Sequence, residues 1–180
     1  MNSIKDLQKI KGTTKRIKKL YYDREQYIED VFHKISRKIV DLLINSEVTK
    51  LIVGYNKGWK QGVNMGKRNN QKFTQIPFAR LISYMEYKCK LAGIEIVTHE
   101  ESYTSKCDSL AFEAIGKHEN YLGKRKKRGL YQSSTGKLIN ADVNGALNIM
   151  RKVVGDSCGS IQRIIDRGLL FNPVRIKSVF

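Results

Sequence analysis

Two places in this chain put carboxylates where they can do chemistry. Glu100 and Glu101 follow a short apolar run, Ile94 to Val97, that reads as a buried strand. Asp142 opens a segment with helical apolar spacing, and Asn144 stands two residues on. A phosphodiesterase using two metal ions needs carboxylates that converge from strand ends and helix starts. They hold Mg2+ ions about 3.5–4 Å apart, which activate water and stabilise the leaving oxygen. Both positions also have an ordinary reading. An Asp at a helix start commonly caps it, and a Glu after a strand commonly faces solvent. Spacing alone favours the ordinary reading.

Sulfur and imidazole offer less. A zinc ribbon needs four ligands, usually two C-x2-C pairs. Cys107 stands alone, with Leu110 where a partner would fall, and residues 129–141 hold no Cys or His. His99 and His118 are isolated. No zinc is expected, and Cys89 reads as a core residue. Cys89, Cys107 and Cys158 are odd in number and far apart, which argues against a disulfide framework and for a reducing, cytoplasmic setting.

These residues must be carried by a body of 180 residues, enough for one domain with a small insertion. Hydrophobic residues make up 41%, which excludes a wholly disordered chain. No apolar run approaches the roughly 20 residues of a membrane span. The start, charged from Lys5 onward, lacks the apolar core of a signal peptide. The net charge of +17 is the strongest global feature. Nucleic acid is the partner it favours, because docked Lys and Arg release counterions from a polyphosphate. An anionic membrane surface is the competing partner, but no segment joins a wide apolar face to a basic one.

The basic residues fall into three blocks. Residues 5–24 hold eight Lys/Arg and two acids. Residues 57–72 hold Lys57, Lys60, Lys67, Arg68 and Lys72 and no acid. Residues 117–137 hold seven, including the run Lys124, Arg125, Lys126, Lys127, Arg128, against Glu119 alone. Any one run could be a solvated face. Three runs alternating with apolar segments fit a folded body with basic arms.

Residues 15–44 carry Ile17, Leu20, Tyr21, Arg24, Ile28, Val31, Phe32, Ile35, Ile39, Leu42 and Leu43 at i, i+3, i+4 spacing, which predicts one long helix. Lys50-Leu51-Ile52-Val53, ending at Gly54, predicts a buried strand. Residues 54–75 predict a loop or hairpin. Pro77 opens a helix at its first position, lined by Phe78, Leu81, Ile82, Met85, Cys89 and Ala92 and closed by Gly93. With the strand Ile94 to Val97 this makes a βαβ unit, for which a right-handed crossover is expected. Residues 104–140 lose the period; a turn at Ser133-Ser134-Thr135-Gly136 between Leu130-Tyr131 and Leu138-Ile139 predicts a hairpin. A last helix runs from about Asp142 to Val154, with a stripe of Val143, Ala146, Leu147, Met150 and Val154. The tail with Pro173 offers one more short element.

The stretch Asp142-Val143-Asn144-Gly145-Ala146-Leu147-Asn148-Ile149 resembles the D-x-N-x-A-x-N-I signature that closes TnpB proteins, also called OrfB transposases. Four pieces upstream agree in order: Ile52-Val53-Gly54 with Asn56 to Gln61, then Gln75-Ile76-Pro77-Phe78, then Glu101-Ser102-Tyr103-Thr104-Ser105-Lys106-Cys107, then Lys126 to Tyr131 leading to Leu138-Ile139-Asn140-Ala141. The resemblance covers about residues 10–176; five ordered motifs make it specific where one D-x-N-x-A match would be weak.

The family is transposon-encoded and ancestral to type V CRISPR nucleases. The resemblance implies a RuvC-like domain of the RNase H type with a ribbon inserted before the last helix. It also implies binding of guide RNA and metal-dependent cutting of DNA. Asp142 then matches the last RuvC carboxylate, with Asn144 as polar support beside it. Many members carry a Glu after the strand that here ends in Gly54. A subset, including the Fanzors, carries it after the next strand, where this chain has Glu101, with Glu100 as runner-up. The ribbon keeps Cys107 and lacks the other ligands, so it resembles a metal-free version. The family's opening catalytic Asp has no counterpart in residues 1–14, where Asp6 is no substitute, and the RNA-binding N-terminal half has none either.

The expected fold is α/β: an incomplete RNase H-like (RuvC) sheet with flanking helices and a basic, zinc-less β-hairpin insertion. Residues 1–103 would be the partial nuclease domain, 104–140 the ribbon-like, DNA-binding insertion, and 141–180 the last helix and tail. Glu101 and Asp142 would be catalytic and hold Mg2+ weakly. Lys57, Lys60, Lys67, Arg68, Lys124, Arg125, Lys126, Lys127 and Arg128 would grip DNA or guide RNA. No membrane is expected as a partner; a missing N-terminal half of the same protein is. With two acids and no third, the chain alone is expected to be inactive. A non-enzymatic nucleic-acid-binding module and a decayed transposase fragment are the alternatives.

Overall fold

The computed structural model describes residues 12–56, 76–157, 159, 163 and 164. Lys57, Lys60, Lys67, Arg68, most of the loop expected over 54–75, and the tail around Pro173 lie outside the described residues. The chain is mixed α/β: α1 (Lys15–Asn45), β1 (Lys50–Gly54), α2 (Phe78–Leu91), β2 (Glu95–His99), β3 (Lys124–Lys127), β4 (Leu130–Gln132), β5 (Leu138–Asn140) and α3 (Ala141–Val154). It divides into two compact units, one holding α1 and α2, the other holding the five strands and α3.

In the helical unit, Thr14 caps α1 by accepting the Ile17 N–H at 3.2 Å. Phe32, Ser36 and Val40 form the buried centre of its face, and Met85 and Cys89 are buried on α2. Leu20, Tyr21 and Leu42 have the right spacing for that face but are exposed. Length explains this: at 1.5 Å per residue α1 runs about 46 Å and α2 about 21 Å, so the ends of α1 outrun their partner. Ser36 is the polar one of the three buried residues on α1. It donates to the Phe32 carbonyl and accepts from Lys88 Nζ, which also donates to the His33 carbonyl. Arg80 pairs with Glu25 at 3.1 Å, and the Tyr84 hydroxyl donates to Glu29 at 2.5 Å. Pro77 stands at the N-cap, one position earlier than the sequence predicts, and Gly93 takes the left-handed φ of +71° that ends α2.

In the second unit β1 and β2 pair in parallel, from Lys50 opposite Glu95 to Gly54 opposite His99. The sequence predicts buried strands; these are at most half-buried, because neither has a second neighbour among the described residues. β3, β4 and β5 form an antiparallel sheet in that order. β4 and β5 pair about the turn at 133–137. A small core of Leu110, Tyr131, Ile139, Ala141 and Leu147, joined by Val143, Met150 and Ile164, packs α3 against this sheet.

Candidate functional site

Glu101 sits two residues past β2, in a turn whose backbone is held on every side. Its N–H donates to Asn56 Oδ1 at 2.9 Å, and its carbonyl accepts from Thr104 Oγ1 at 2.7 Å. Lys152 Nζ, from α3, donates to the Glu100 and Ser102 carbonyls at 3.0 and 2.9 Å, clamping both neighbours. Tyr103 adopts φ +65°, an uncommon conformation for a residue with a side chain. The side chain of Glu101 lies over Gly54. A Cβ built on Gly54 would meet Glu101 Oε2 at 2.7 Å, Glu101 Cβ at 3.2 Å and Ile149 Cδ1 at 2.6 Å. Glycine at the end of β1 therefore makes the space the glutamate fills. The glutamate expected at one strand end and the glycine at the other are two halves of one arrangement.

Glu101 is half-buried, and among the described residues its carboxylate has no hydrogen bond or ion pair. Glu100 is different. It is exposed, accepts from Ser102 Oγ and pairs with Lys152 at 3.7 Å. The Ser102 hydroxyl, and after it the Lys152 ammonium, hold its carboxyl below the usual range. The two glutamates thus differ: the Glu100 carboxylate is engaged and that of Glu101 is not, among the described residues.

Asp142 is the second residue of α3. The cap is Asn140, whose Oδ1 accepts the N–H groups of Asp142 and Val143 at 2.8 and 3.2 Å. The ordinary role of an acid at a helix start is thus already filled. The Asp142 carboxylate is exposed and without a partner among the described residues. Asp142 precedes Ile149 by seven residues, two turns less about 20°, so both lie on the face of α3 that meets the end of β1. The axial separation is about 10 Å. Glu101 and Asp142 are bare carboxylates on one side of α3. Among the described residues, no three His, Cys, Asp or Glu side chains gather closely enough to hold a metal ion.

The other face of α3 is the part that sequence reasoning missed. Asn144, Asn148 and Arg151, at i, i+4, i+7, are all buried and all bonded. Asn144 Nδ2 donates to the Cys107 carbonyl and its Oδ1 accepts the Ser109 N–H. Asn148 Nδ2 donates to the carbonyls of Thr104 and Cys107. Arg151 donates to Asn148 Oδ1, to the Glu113 carbonyl and to Asp156. Asn144, read from the signature as support for Asp142, instead ties α3 to the segment before the sheet. The signal was present in the sequence: three hydrogen-bonding residues at helical spacing form a stripe as regular as the apolar one.

That segment is itself knit by two buried acids. Asp108 Oδ1 accepts from the backbone of Leu110 and Ala111, and Oδ2 from Ser133 Oγ, Ser134 N and Ser134 Oγ. Glu113 accepts from the backbone of Asp108 and Leu122. Asp108 thereby joins residues 108–111 to the 133–134 turn. Cys107 is buried, its Sγ against the Gly116 carbonyl at 3.7 Å, and burial pushes its thiol up.

The run Lys124 to Lys127 is a strand, which its composition does not announce. It pairs with β4 through Lys124 opposite Gln132 and Arg125 opposite Tyr131, then shifts register before Lys127. All four side chains and Arg128 are exposed, and none has an ion pair among the described residues. Lysine on an outer strand resists further pairing while leaving the charge free. Among the described residues no helix is long and apolar enough to cross a membrane.

Comparison with known proteins finds matches for two stretches of the chain. Residues 78–149 match the family model of the Cas12f1-like TNB domain, and residues 1–60 match the OrfB IS605 model, described as a probable transposase. A similar curated protein is the CRISPR-associated endodeoxyribonuclease Cas12f2 of Micrarchaeota archaeon (strain CG1_02_47_40). It is 28% identical over 163 residues, which are 86% of this chain and 29% of that protein. Among solved structures, the cryo-EM structure of a Cas12f1-sgRNA-target DNA complex is similar with a TM-score of 0.59 and 25% identity, over 75% of this chain and 36% of that one. The chain spans less than a third of the length of the curated relative it matches.

Proposed function

We propose that this chain, a member of the TnpB-like (OrfB) family of RuvC nucleases, binds nucleic acid and contributes two carboxylates, Glu101 and Asp142, to a metal-assisted phosphodiester-cleaving centre of RNase H type. The observation that carries this reading is the Glu101 carboxylate, seated in the space Gly54 leaves, held by its backbone on both sides and engaged by no partner among the described residues. A half-buried acid kept bare by a rigid turn is costly for stability alone and useful for binding a cation. RuvC-like nucleases generally use divalent metal, and Mg2+ would supply the activation of water and the stabilisation of the leaving oxygen. Glu101 and Asp142 would hold it. Asn56, Thr104 and Lys152 orient Glu101, and Asn140 fixes the helix start under Asp142.

Two acids fall short of a two-metal set, so the 180 residues alone hold Mg2+ weakly and do not cut. A third acid, on a first RuvC strand outside these 180 residues, completes the centre. In this reading 1–103 and 141–180 belong to the nuclease domain, and 104–140 is a basic insertion that needs no zinc. The partners are DNA and guide RNA, in the cytoplasm. The test is nicking of a supercoiled plasmid with Mg2+ or Mn2+, beside an Asp142→Ala control purified identically. The wild-type chain matches the control. Adding a polypeptide that carries the first strands and their Asp restores cutting, which Asp142→Ala and Glu101→Ala each abolish. Robust nicking by the 180 residues alone, or restored cutting that survives Glu101→Ala, would overturn it. Gly54→Glu alone restores nothing, because it crowds Glu101 and replaces the wrong acid.

A second reading, a nucleic-acid-binding module that cuts nothing, is favoured by the exposed, unpaired cations of β3. Both readings require affinity for DNA or RNA that falls steeply with salt. They part on whether the restored centre cuts.

A further inference from the structure

We propose that a cleft beside β3 seats one nucleotide of a single nucleic-acid strand, with its phosphate on Lys106, Lys124 and Arg125 and its base against Tyr121. The inference rests on the nucleic-acid reading above and narrows it to a site. The cleft has a volume of about 400 Å3 and lies between Lys106, Tyr121, Gly123, the first residues of β3 and Tyr131.

The cleft has a built floor. Tyr131 is buried, and its hydroxyl donates to the Lys106 carbonyl at 2.8 Å, which fixes the backbone that carries the Lys106 side chain. Burial, and after it the nearby Asp108, pushes that phenol well up, so it remains a donor across the working pH range. Gly123 is part of the same wall. A Cβ there would run into the Tyr131 hydroxyl and ring, so a side chain at 123 would break the floor.

The lining pairs positive charge with an aromatic face. None of the three cations has an ion pair among the described residues. Lys106 Nζ stands 5.7 Å from the Tyr121 ring centroid, and His118 packs edge-on against that ring at 5.3 Å. A carboxylate ligand would need the cations alone. A nucleotide also needs a flat π surface beside them, because bases stack on aromatic side chains regardless of sequence. Lys126, Lys127 and Arg128 follow in the chain and are exposed, so they can give the next phosphates of the strand their own counter-charges.

The experiment is fluorescence anisotropy of a fluorescein-labelled oligothymidine on the full chain across a salt series. Lys106→Ala is expected to weaken binding about tenfold and to reduce the salt slope by about one contact. Tyr121→Leu is expected to weaken it about tenfold at every salt concentration with the slope unchanged, since no charge is lost. Tyr121→Phe, which keeps the ring, stays within about twofold of wild type. Lys90→Ala, an equal change of charge on the exposed side of α2, also stays within about twofold. Photocrosslinking of an oligonucleotide carrying 5-iododeoxyuridine provides a second readout that needs no variant to fold. It is expected to label the peptide that contains Tyr121. The cleft is refuted by wild-type binding in a folded Tyr121→Leu protein, by a Lys106→Ala loss no larger than that of Lys90→Ala, or by crosslinks confined to other peptides. Absence of any salt-dependent binding by the wild-type chain would refute the broader nucleic-acid reading, and the cleft with it.

Discussion

Asp108 and Glu101 are both acids in the second unit, close in sequence, and they are treated in opposite ways. Asp108 is fully buried and receives five hydrogen bonds from two separate stretches of chain. Glu101 is half-buried and receives none on its carboxylate, although its backbone is clamped by Asn56 and Thr104. Saturation of the first means that its charge is already engaged in holding the fold. Isolation of the second leaves its charge unengaged by any partner among the described residues. The same division runs through α3, where Asn144, Asn148 and Arg151 are bonded inward and Asp142 is bare. Family resemblance alone gives all the polar positions of the signature equal standing; their hydrogen bonds divide them into those that hold the fold and those whose carboxylates are unengaged among the described residues.

Variants can break or sharpen that contrast. The largest effect is expected from Asp108→Ala, which orphans up to five donors and should destabilise the second unit by about 3–5 kcal/mol, read as a fall in the urea midpoint. A loss below about 1 kcal/mol would mean that the acid is not what joins the two stretches. Next comes Asn148→Ala, which removes two donated bonds and leaves Arg151 short of an acceptor, for about 2 kcal/mol in the same measurement. Gly54→Ala is expected to cost about 1 kcal/mol by crowding Ile149 and Glu101, while displacing the Glu101 carboxylate and reducing Mn2+ affinity to that of Glu101→Gln. Unchanged Mn2+ affinity there would detach Gly54 from the site.

The smallest effect concerns acid. Arg151 hydrogen-bonds Asp156 and holds its carboxyl below the ordinary value. A depressed folded-state pKa contributes stability that is present above the unfolded value, near pH 4, and is lost as pH falls through the folded one. Because Asp156 is 53% exposed, that contribution is about 0.5 kcal/mol. Asp156→Asn should therefore change stability at neutral pH slightly and flatten the acid limb of a pH-stability curve below about pH 4. An unaltered acid limb would assign it to other carboxylates.

The long elements were legible because periodicity is a strong signal. α1 was expected over 15–44 and runs Lys15–Asn45; α3 was expected from Asp142 and begins at Ala141. The two strands were legible as Leu51-Ile52-Val53 and Ile94 to Val97, and they pair in parallel. Their burial was overestimated, since a sequence says nothing of how many neighbours a strand finds. β3 was illegible as a strand: four consecutive basic residues carry no alternation, and only pairing with β4 fixes their conformation. The Asp108 arrangement was illegible for a different reason. Its partners at 133 and 134 lie some 25 residues away, and no local pattern links them. Glu101 and Asp142 were singled out by their places after a strand and at a helix start, and by the resemblance; their unpartnered state could be seen only in three dimensions.

The central claim is that Glu101 and Asp142 are kept free of protein partners in order to bind a divalent cation. The most direct test is Mn2+ binding by water-proton relaxation on the wild-type chain, Glu101→Gln, Asp142→Asn and the double variant, with urea unfolding of each alongside. The account predicts weak, saturable binding by the wild type and its loss in each single variant. It also predicts folding stabilities within about 0.5 kcal/mol of wild type, because neither carboxylate supports the fold. Equal Mn2+ binding by all four proteins, or a large loss of stability on either substitution, would contradict it.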